Sequence, residues 1–251
     1  MLRNILQRSF ATSYKNQKIW NKKLVLKAQN LWILDTYGVL IPSNWKPMQQ
    51  AFLRFGVLLT DNDIRKFVAS SKHNHIQNLV REFLKVKDLK VENWFIERIL
   101  EQFQNYQLKF FKENPSETTK IIDLQHLLDF QSIDGNKLVL TSMFPKQIVD
   151  YLSNEFKNQG FYPNAILTTS FENPTRSHLV EEALTTFPSE KTCFFVDTIS
   201  DAKEISENFK DSVDVIGVIG HSAELPYMLS SRFIQEANAN EVIASLVWRV
   251  D

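Results

Sequence analysis

Asp35, Thr141, Asp197 and Asp201 are the residues of this 251-residue chain whose types and positions best suit chemistry. Asp35 closes the apolar run LWILD, Asp197 closes TCFFVD, and Thr141 holds the matching place in KLVLTS. Each run reads as a buried strand, so these side chains fall at strand carboxyl ends, where open α/β sheets bind ligands. Asp197 and Asp201 are four residues apart across a strand-to-helix turn, so both can face that crevice. Converging carboxylates repel one another unless a cation lies among them, and oxygen ligands of this kind suit Mg²⁺. Each acid alone also has a plainer use, Asp201 as a helix cap and Asp35 as a loop acid.

The elements that must position these groups follow from periodicity. After LWILD, the stretch TYGVLIPSNWKPM contains Gly38, Pro42 and Pro47 and reads as a loop with a possible short β element. From Met48 to about Phe111 the spacing is helical, with Ile76, Leu79, Val80, Phe83 and Leu84 on one face and Asp61 or Asp63 as an N-cap. From residues 114–120 onward strands and helices alternate: a strand at 138–141, a helix ending at Gly160, the strand NAILTTS, RSHLVEEAL at 176–184, a strand at 192–196, the helix DAKEISENF and the strand VDVIGVI. This order predicts an α/β fold, a doubly wound parallel sheet with an inserted all-helical cap. The expected division is a presequence or basic tail at 1–20, a core from 21–45 and 116–251, and a cap at 46–115.

Composition excludes several classes. The chain is 43% hydrophobic and 23% charged, which rules out wholesale disorder, and no apolar run is long enough to span a membrane. The single cysteine, Cys193, excludes intramolecular disulfides and thiolate zinc sites. Lys plus Arg and Asp plus Glu both total 29, but seven of the basic residues and no acid lie in residues 1–34. The remainder is therefore acidic and has no general affinity for nucleic acid or anionic membrane. The opening MLRNILQRSFATSYKNQK is basic, hydroxylated and acid-free and resembles a mitochondrial import presequence, so the expected location is the mitochondrial matrix.

DTYGV at 35–39, LVLTS at 138–142, Arg176 and VDTISD at 196–201, in that order, resemble the haloacid dehalogenase superfamily of aspartyl-nucleophile phosphotransferases. Within it, the chain from about residue 29 to 248 is most similar to phosphonoacetaldehyde hydrolases. The likeness runs through IRKFVASSKHNHIQNL, KLVLTSMFPKQIVD, NQGFYPNAILTTS, DTISDAKE, DVIGVIGHSAELP and RFIQEANANEVIASL.

The resemblance implies that Asp35 attacks phosphorus and forms an aspartyl-phosphate. Mg²⁺ is implied between Asp35, the backbone carbonyl of Tyr37 and Asp197, with Asp201 supporting it. Thr141 would bind a phosphoryl oxygen, and Arg176 would hold the phosphonyl group and the nucleophile. Lys72 matches the Schiff-base lysine, which supplies an electron sink for C–P cleavage, and His75 matches the proton-transfer histidine. At i and i+3 of a helix those two share a face. The resemblance also implies a small phosphonate or phosphorylated substrate and pairing of two copies through the cap.

Several positions depart from the pattern. Tyr37 stands where this family has alanine and where superfamily phosphatases have an acid for the leaving alcohol. Val68 and Ala69 replace Met–Gly, Ser142, Met143 and Phe144 replace Thr-Gly-aromatic, Val196 replaces glycine, and Trp45 replaces cysteine. The changes add bulk where the pocket is expected. Two functions are therefore expected to compete: an Mg²⁺-dependent C–P hydrolase, and an inactive structural subunit of a larger mitochondrial assembly.

Overall fold

In the computed structural model, which describes residues 31–41, 44–67, 72–115, 124–169, 175–189, 191–210, 212–219 and 232–235, strand β1 (Leu31–Asp35) is buried along its whole length. Burial on both faces is the lot of a central parallel strand. Around it lie β2 (Lys137–Ser142), β3 (Ala165–Thr168), β4 (Thr192–Val196), β5 (Val213–Ile219) and β6 (Arg232–Gln235), in the order β3-β2-β1-β4-β5-β6. All five pairings are parallel. Asp35 pairs with Thr141 across β1 and β2, and Leu34 pairs with Phe195 across β1 and β4. Asp35, Thr141 and Asp197 therefore come to one edge of the sheet, on three adjacent strands.

Alternation along the strands sends side chains to two apolar layers. On one face Trp32, Leu34, Leu138, Leu140 and Phe195 pack with α5 (Leu124–Ser132) and α6 (Lys146–Asn158), contacts that include the stacked rings of Trp32 and Phe130. On the other face Ile33, Val139, Phe194 and Val196 pack with α7 (Arg176–Thr186) and α8 (Ile199–Phe209). Cys193, on β4, is fully buried in the first layer. The doubly wound sheet is thus as the sequence implies. β2 extends one residue beyond the expected 138–141 at each end.

Helices α1 (Lys46–Leu53), α2 (Asp61–Lys66), α3 (Lys72–Leu79) and the long α4 (Leu89–Glu113) follow β1 and form the helical insert. Pro47 stands in the first turn of α1, where its missing N–H is harmless. Neither Asp61 nor Asp63 is the N-cap of α2. Thr60 is, and Asp63 completes a reciprocal capping box with it. The last turn after α3, Val80–Leu84, is π-helical and ends at Lys85 with φ of 53°. Glu92 on α4 accepts hydrogen bonds from Gln77 and Arg81, both at 2.9 Å, and so fixes α3 against α4. The insert shares the first apolar layer of the sheet through Met48, Phe52, Ile76, Ile99 and Phe103.

Among the described residues no helix is long and apolar enough to cross a membrane. The basic segment 1–20 and the Val68–Ala69 pair lie outside the described residues.

Candidate active site

At the carboxyl edge of the sheet the Arg176 guanidinium lies between two carboxylates. Its Nη2 donates to Asp35 and its Nε to Asp201 at 3.3 Å, and each of these three residues is at most 2% exposed. The elements explain the geometry. Thr175 caps α7 and puts Arg176 in its first turn, while Thr198 caps α8 and puts Asp201 in its first turn. The expected crowding of bare acids is thus relieved by an internal cation. Among the described residues no three His, Cys, Asp or Glu side chains gather closely enough to hold a metal by themselves.

Burial pushes the Asp35 carboxyl up, to about 6, and the Asp201 charge adds to this. Arg176 and the Tyr37 backbone N–H pull in the opposite direction. Arg176 in turn is raised, because the neighbouring acids outweigh the burial that opposes its charge. Asp35 Oδ1 and Arg176 Nη1 remain buried with no hydrogen-bond partner among the described residues.

The loop after Asp35 turns back at Gly38, whose φ is 91°. A Cβ there would lie 1.7 Å from Asp197 Oδ2, so the Asp197 carboxylate rests directly on the glycine backbone. Gly38→Ala is expected to displace Asp197 and to cost about 1–3 kcal/mol of stability, which a urea titration measures.

Opposite this ionic floor, α3 presents Lys72, which is 4% exposed. Its amine lies 5.8 Å from the Tyr37 ring centre, 5.4 Å from Trp45, 5.6 Å from Phe103 and 5.6 Å from Phe144. Burial lowers its pKa to about 8, with the Arg176 charge acting in the same direction and Asp197, Asp35 and Asp201 against it.

One cavity joins the two sides. Asp35, Arg176, Asp197, Thr198 and Lys72 line it together with Tyr37, Trp45, Met143 and Phe144. It is narrow, with a volume of about 20 Å³.

The expected residues do not all meet there. Thr141 sits beside Asp35 in register, but its hydroxyl donates to the Leu34 carbonyl at 3.4 Å. His75 shares the buried face of α3 with Lys72, yet its Nε2 bonds the Ile64 carbonyl at 2.9 Å. Burial and the Lys72 charge push its pKa down to about 3, so the ring is neutral. Neither residue lines the cavity. Val196, expected to add bulk at the pocket, instead packs in the apolar layer against α8. Phe103 and Thr198 were not among the expected residues. Phe103 hides in the apolar periodicity of α4, whereas the cap position after TCFFVD is a usable signal for Thr198.

Solved structures share this architecture. A phosphonoacetaldehyde hydrolase-like protein from Oleispira antarctica superposes with a TM-score of 0.65 at 12% identity, over 89% of this chain and 94% of that one. A haloacid dehalogenase-like hydrolase from Streptococcus pneumoniae gives 0.56 at 15% identity, over 82% and 93% of the two chains. The fold is haloacid dehalogenase-like. A β-phosphoglucomutase from Pyrococcus sp. strain ST 04 superposes at a TM-score of 0.53 and 17% identity, over 76% of this chain and 86% of that one. No protein-family model matches the sequence, and no curated protein does.

The donor set suits the divalent ion expected of a haloacid dehalogenase-like site. Mg²⁺ takes one or two carboxylates and fills its remaining positions with water and substrate oxygens. Asp35, with Oδ1 unpartnered, and Asp197, at the cavity wall, meet that need without a third acid.

Proposed function

We propose that the chain hydrolyses the C–P bond of a small phosphonate that carries a carbonyl group. Its support is one juxtaposition: a buried amine with a lowered pKa and a buried carboxylate, on opposite walls of one cavity. A haloacid dehalogenase-like hydrolase is the general class that the fold favours.

In this reading the neutral Lys72 amine adds to the carbonyl carbon, and the carbinolamine takes up a proton from solvent and loses water to give an iminium. An Asp35 oxygen forms a bond to phosphorus as the C–P bond breaks, and that electron pair moves into the iminium to give an enamine. Water then cleaves the aspartyl-phosphate to phosphate. Protonation and hydrolysis of the enamine return the aldehyde or ketone and the lysine. Arg176 keeps Asp35 charged and aimed, and its free Nη1 offers a donor to a phosphonyl oxygen. Asp35, Asp197 and the Tyr37 carbonyl would hold Mg²⁺, which supplies charge neutralisation between carboxylate and phosphonate. Neutral His75 and Thr141 assist only if their present partners, Ile64 and Leu34, are exchanged.

Tyr37 steers the reading away from ordinary phosphate esters. Its hydroxyl bonds both the carbonyl and the N–H of Asn44, so no acid two residues after Asp35 is free to protonate a leaving alcohol. An enamine leaving group needs no such acid. The proposal extends to the mitochondrial matrix, from the acid-free basic residues 1–34, and to pairing of two copies through the cap.

The narrowness of the cavity favours a second reading, in which the chain is an inactive structural subunit of a mitochondrial assembly. One experiment separates the two. The full chain is incubated with phosphonoacetaldehyde and Mg²⁺, and phosphate and acetaldehyde are measured alongside borohydride trapping. Turnover lost in both Lys72→Ala and Asp35→Ala, with trapping lost only in Lys72→Ala, is the expected result. Folded protein with neither turnover nor adduct would overturn the hydrolase and leave the structural role.

A further inference from the structure

We propose that Lys72 is a site of reversible carbamylation: its amine takes up dissolved carbon dioxide, and the unpartnered donors of Arg176 and Trp45 hold the carbamate that forms. The site shares its amine with the proposed hydrolysis but needs no phosphonate, and carbon dioxide is a second ligand for the same cavity.

Lys72 stands apart from the ion pairs of the cavity floor, where Arg176 takes both Asp35 and Asp201. The lysine is 4% exposed, and aromatic rings lie 5.4–5.8 Å from its Nζ. An ammonium so placed has lost most of its water, which favours the neutral amine.

The polar atoms around it lack what a lysine cannot give. Arg176 Nη1 and Trp45 Nε1 are donors, Asp35 Oδ1 is an acceptor, and all three are buried with no hydrogen-bond partner among the described residues. Their residues line the cavity together with Lys72. Each such atom left unpaired costs about 1–3 kcal/mol. An ammonium offers hydrogens only, so the two donors gain nothing from it. A carbamate offers two oxygens that accept and one N–H that donates, which matches two orphaned donors and one orphaned acceptor. Size points the same way. The cavity has a volume of about 20 Å³, and a single bound water needs about 10–15 Å³. Carbon dioxide, a rod of three atoms, is the smallest carbonyl electrophile and asks the walls for the least movement.

The step balances without an oxidant or a cofactor. The nitrogen lone pair forms a bond to carbon, the electron pair of one C=O bond moves onto its oxygen, and the nitrogen releases a proton to solvent. Reversal returns carbon dioxide and the amine. The product brings a negative charge near Asp35, Asp197 and Asp201, whose charges already act on Lys72. Arg176 is the resident cation, and Mg²⁺ on Asp35 and Asp197 would complete the balance. His75, three residues along α3, is neutral and adds no charge. Because one nitrogen serves both reactions, carbon dioxide would act as a brake on carbonyl capture.

The test incubates the full chain with Mg²⁺ and isotopically labelled bicarbonate. Carbamates are fixed as ethyl esters with triethyloxonium ion and mapped by peptide mass. Lys146, 80% exposed, reports the background of a surface lysine in the same sample. Occupancy at Lys72 is expected to exceed that at Lys146 at least about tenfold, the scale of one hydrogen bond to a charged acceptor. Trp45→Phe keeps a ring at that position but loses the indole N–H, and should lower Lys72 occupancy about tenfold by the same measure. Labelling at Lys72 no higher than at Lys146, or unchanged in folded Trp45→Phe, would overturn the proposal. If that variant does not fold, the wild type decides. Bicarbonate is expected to slow borohydride trapping of acetaldehyde at Lys72 and not at Lys146, and equal trapping at Lys72 with and without it would overturn the site. The two readings fail separately. A Lys72 carbamate in protein that releases no phosphate from phosphonoacetaldehyde upholds this proposal and removes C–P cleavage, and turnover without any carbamate does the reverse.

Discussion

Replacing Arg176 with methionine is expected to destabilise the fold by about 3–5 kcal/mol at pH 7, seen as a lower urea midpoint with an unchanged slope. Methionine fills much of the same volume, so the loss is electrostatic. It leaves Asp35 and Asp201 charged, buried and without the cation that now bonds both. The pH dependence gives the sign. Without Arg176 the folded-state Asp35 carboxyl, already raised by burial, rises further above its unfolded value, so the folded state binds more protons than the unfolded state. Stability then falls as pH rises, and part of the loss should be regained on acidification toward pH 5. Asp35→Asn in the same background removes one of the stranded charges and should recover stability at pH 7. A variant as stable as the wild type at pH 7 would mean that water or another cation already reaches both acids.

Replacing Lys72 with methionine should have the opposite effect on stability. The lysine pKa is about 8 in the folded chain against an ordinary 10.5. The unfolded chain therefore holds more protons between those values, and stability rises with pH across that window. Below pH 8 the full penalty of charging a buried amine applies, about 3 kcal/mol at roughly 1.4 kcal/mol per pKa unit. The four surrounding rings return part of it, since a desolvated cation over an aromatic face gains about 2 kcal/mol. Lys72→Met is thus expected to stabilise the fold by about 1–3 kcal/mol at pH 7 and to abolish its share of the rise between pH 8 and 10.5, while losing all borohydride-trapped adduct at that position. Denaturation at pH 7 and pH 10 on both proteins checks this. Equal pH slopes would show that the amine is solvated in the folded state. A polar group that lowers stability where methionine would raise it is kept for its chemistry.

The strands were legible because each is a short apolar run closed by a polar residue, and a parallel sheet leaves few other homes for LWILD and TCFFVD. The order of helices and strands followed from the change in period. The cap of α2 did not. The string TDND offers four capping side chains, and only the reciprocal bond between Thr60 and Asp63 decides among them. The strand-end rule brought Asp35, Thr141 and Asp197 to one edge, but it carries no information on rotamers. Thr141 turns its hydroxyl to Leu34, and His75 turns a ring nitrogen to Ile64, because buried polar groups take the nearest backbone partner. Asp201 accepts from Arg176, a pairing across 25 residues that no local pattern records. Phe103 is one phenylalanine among several on α4, and only the folded chain distinguishes the one beside an amine.

Cys193 lies between β1 and β5 in the middle of the sheet, with no surface open to solvent. A thiol reagent can reach it only when the strands part. Under native conditions its rate of modification therefore measures how often the centre of the sheet opens, with no other cysteine to compete for the label. Ligands that bridge Asp35 and Lys72 would tie the sheet to the insert and slow that clock. The protein thus carries its own reporter of occupancy, one that needs neither turnover nor a labelled substrate.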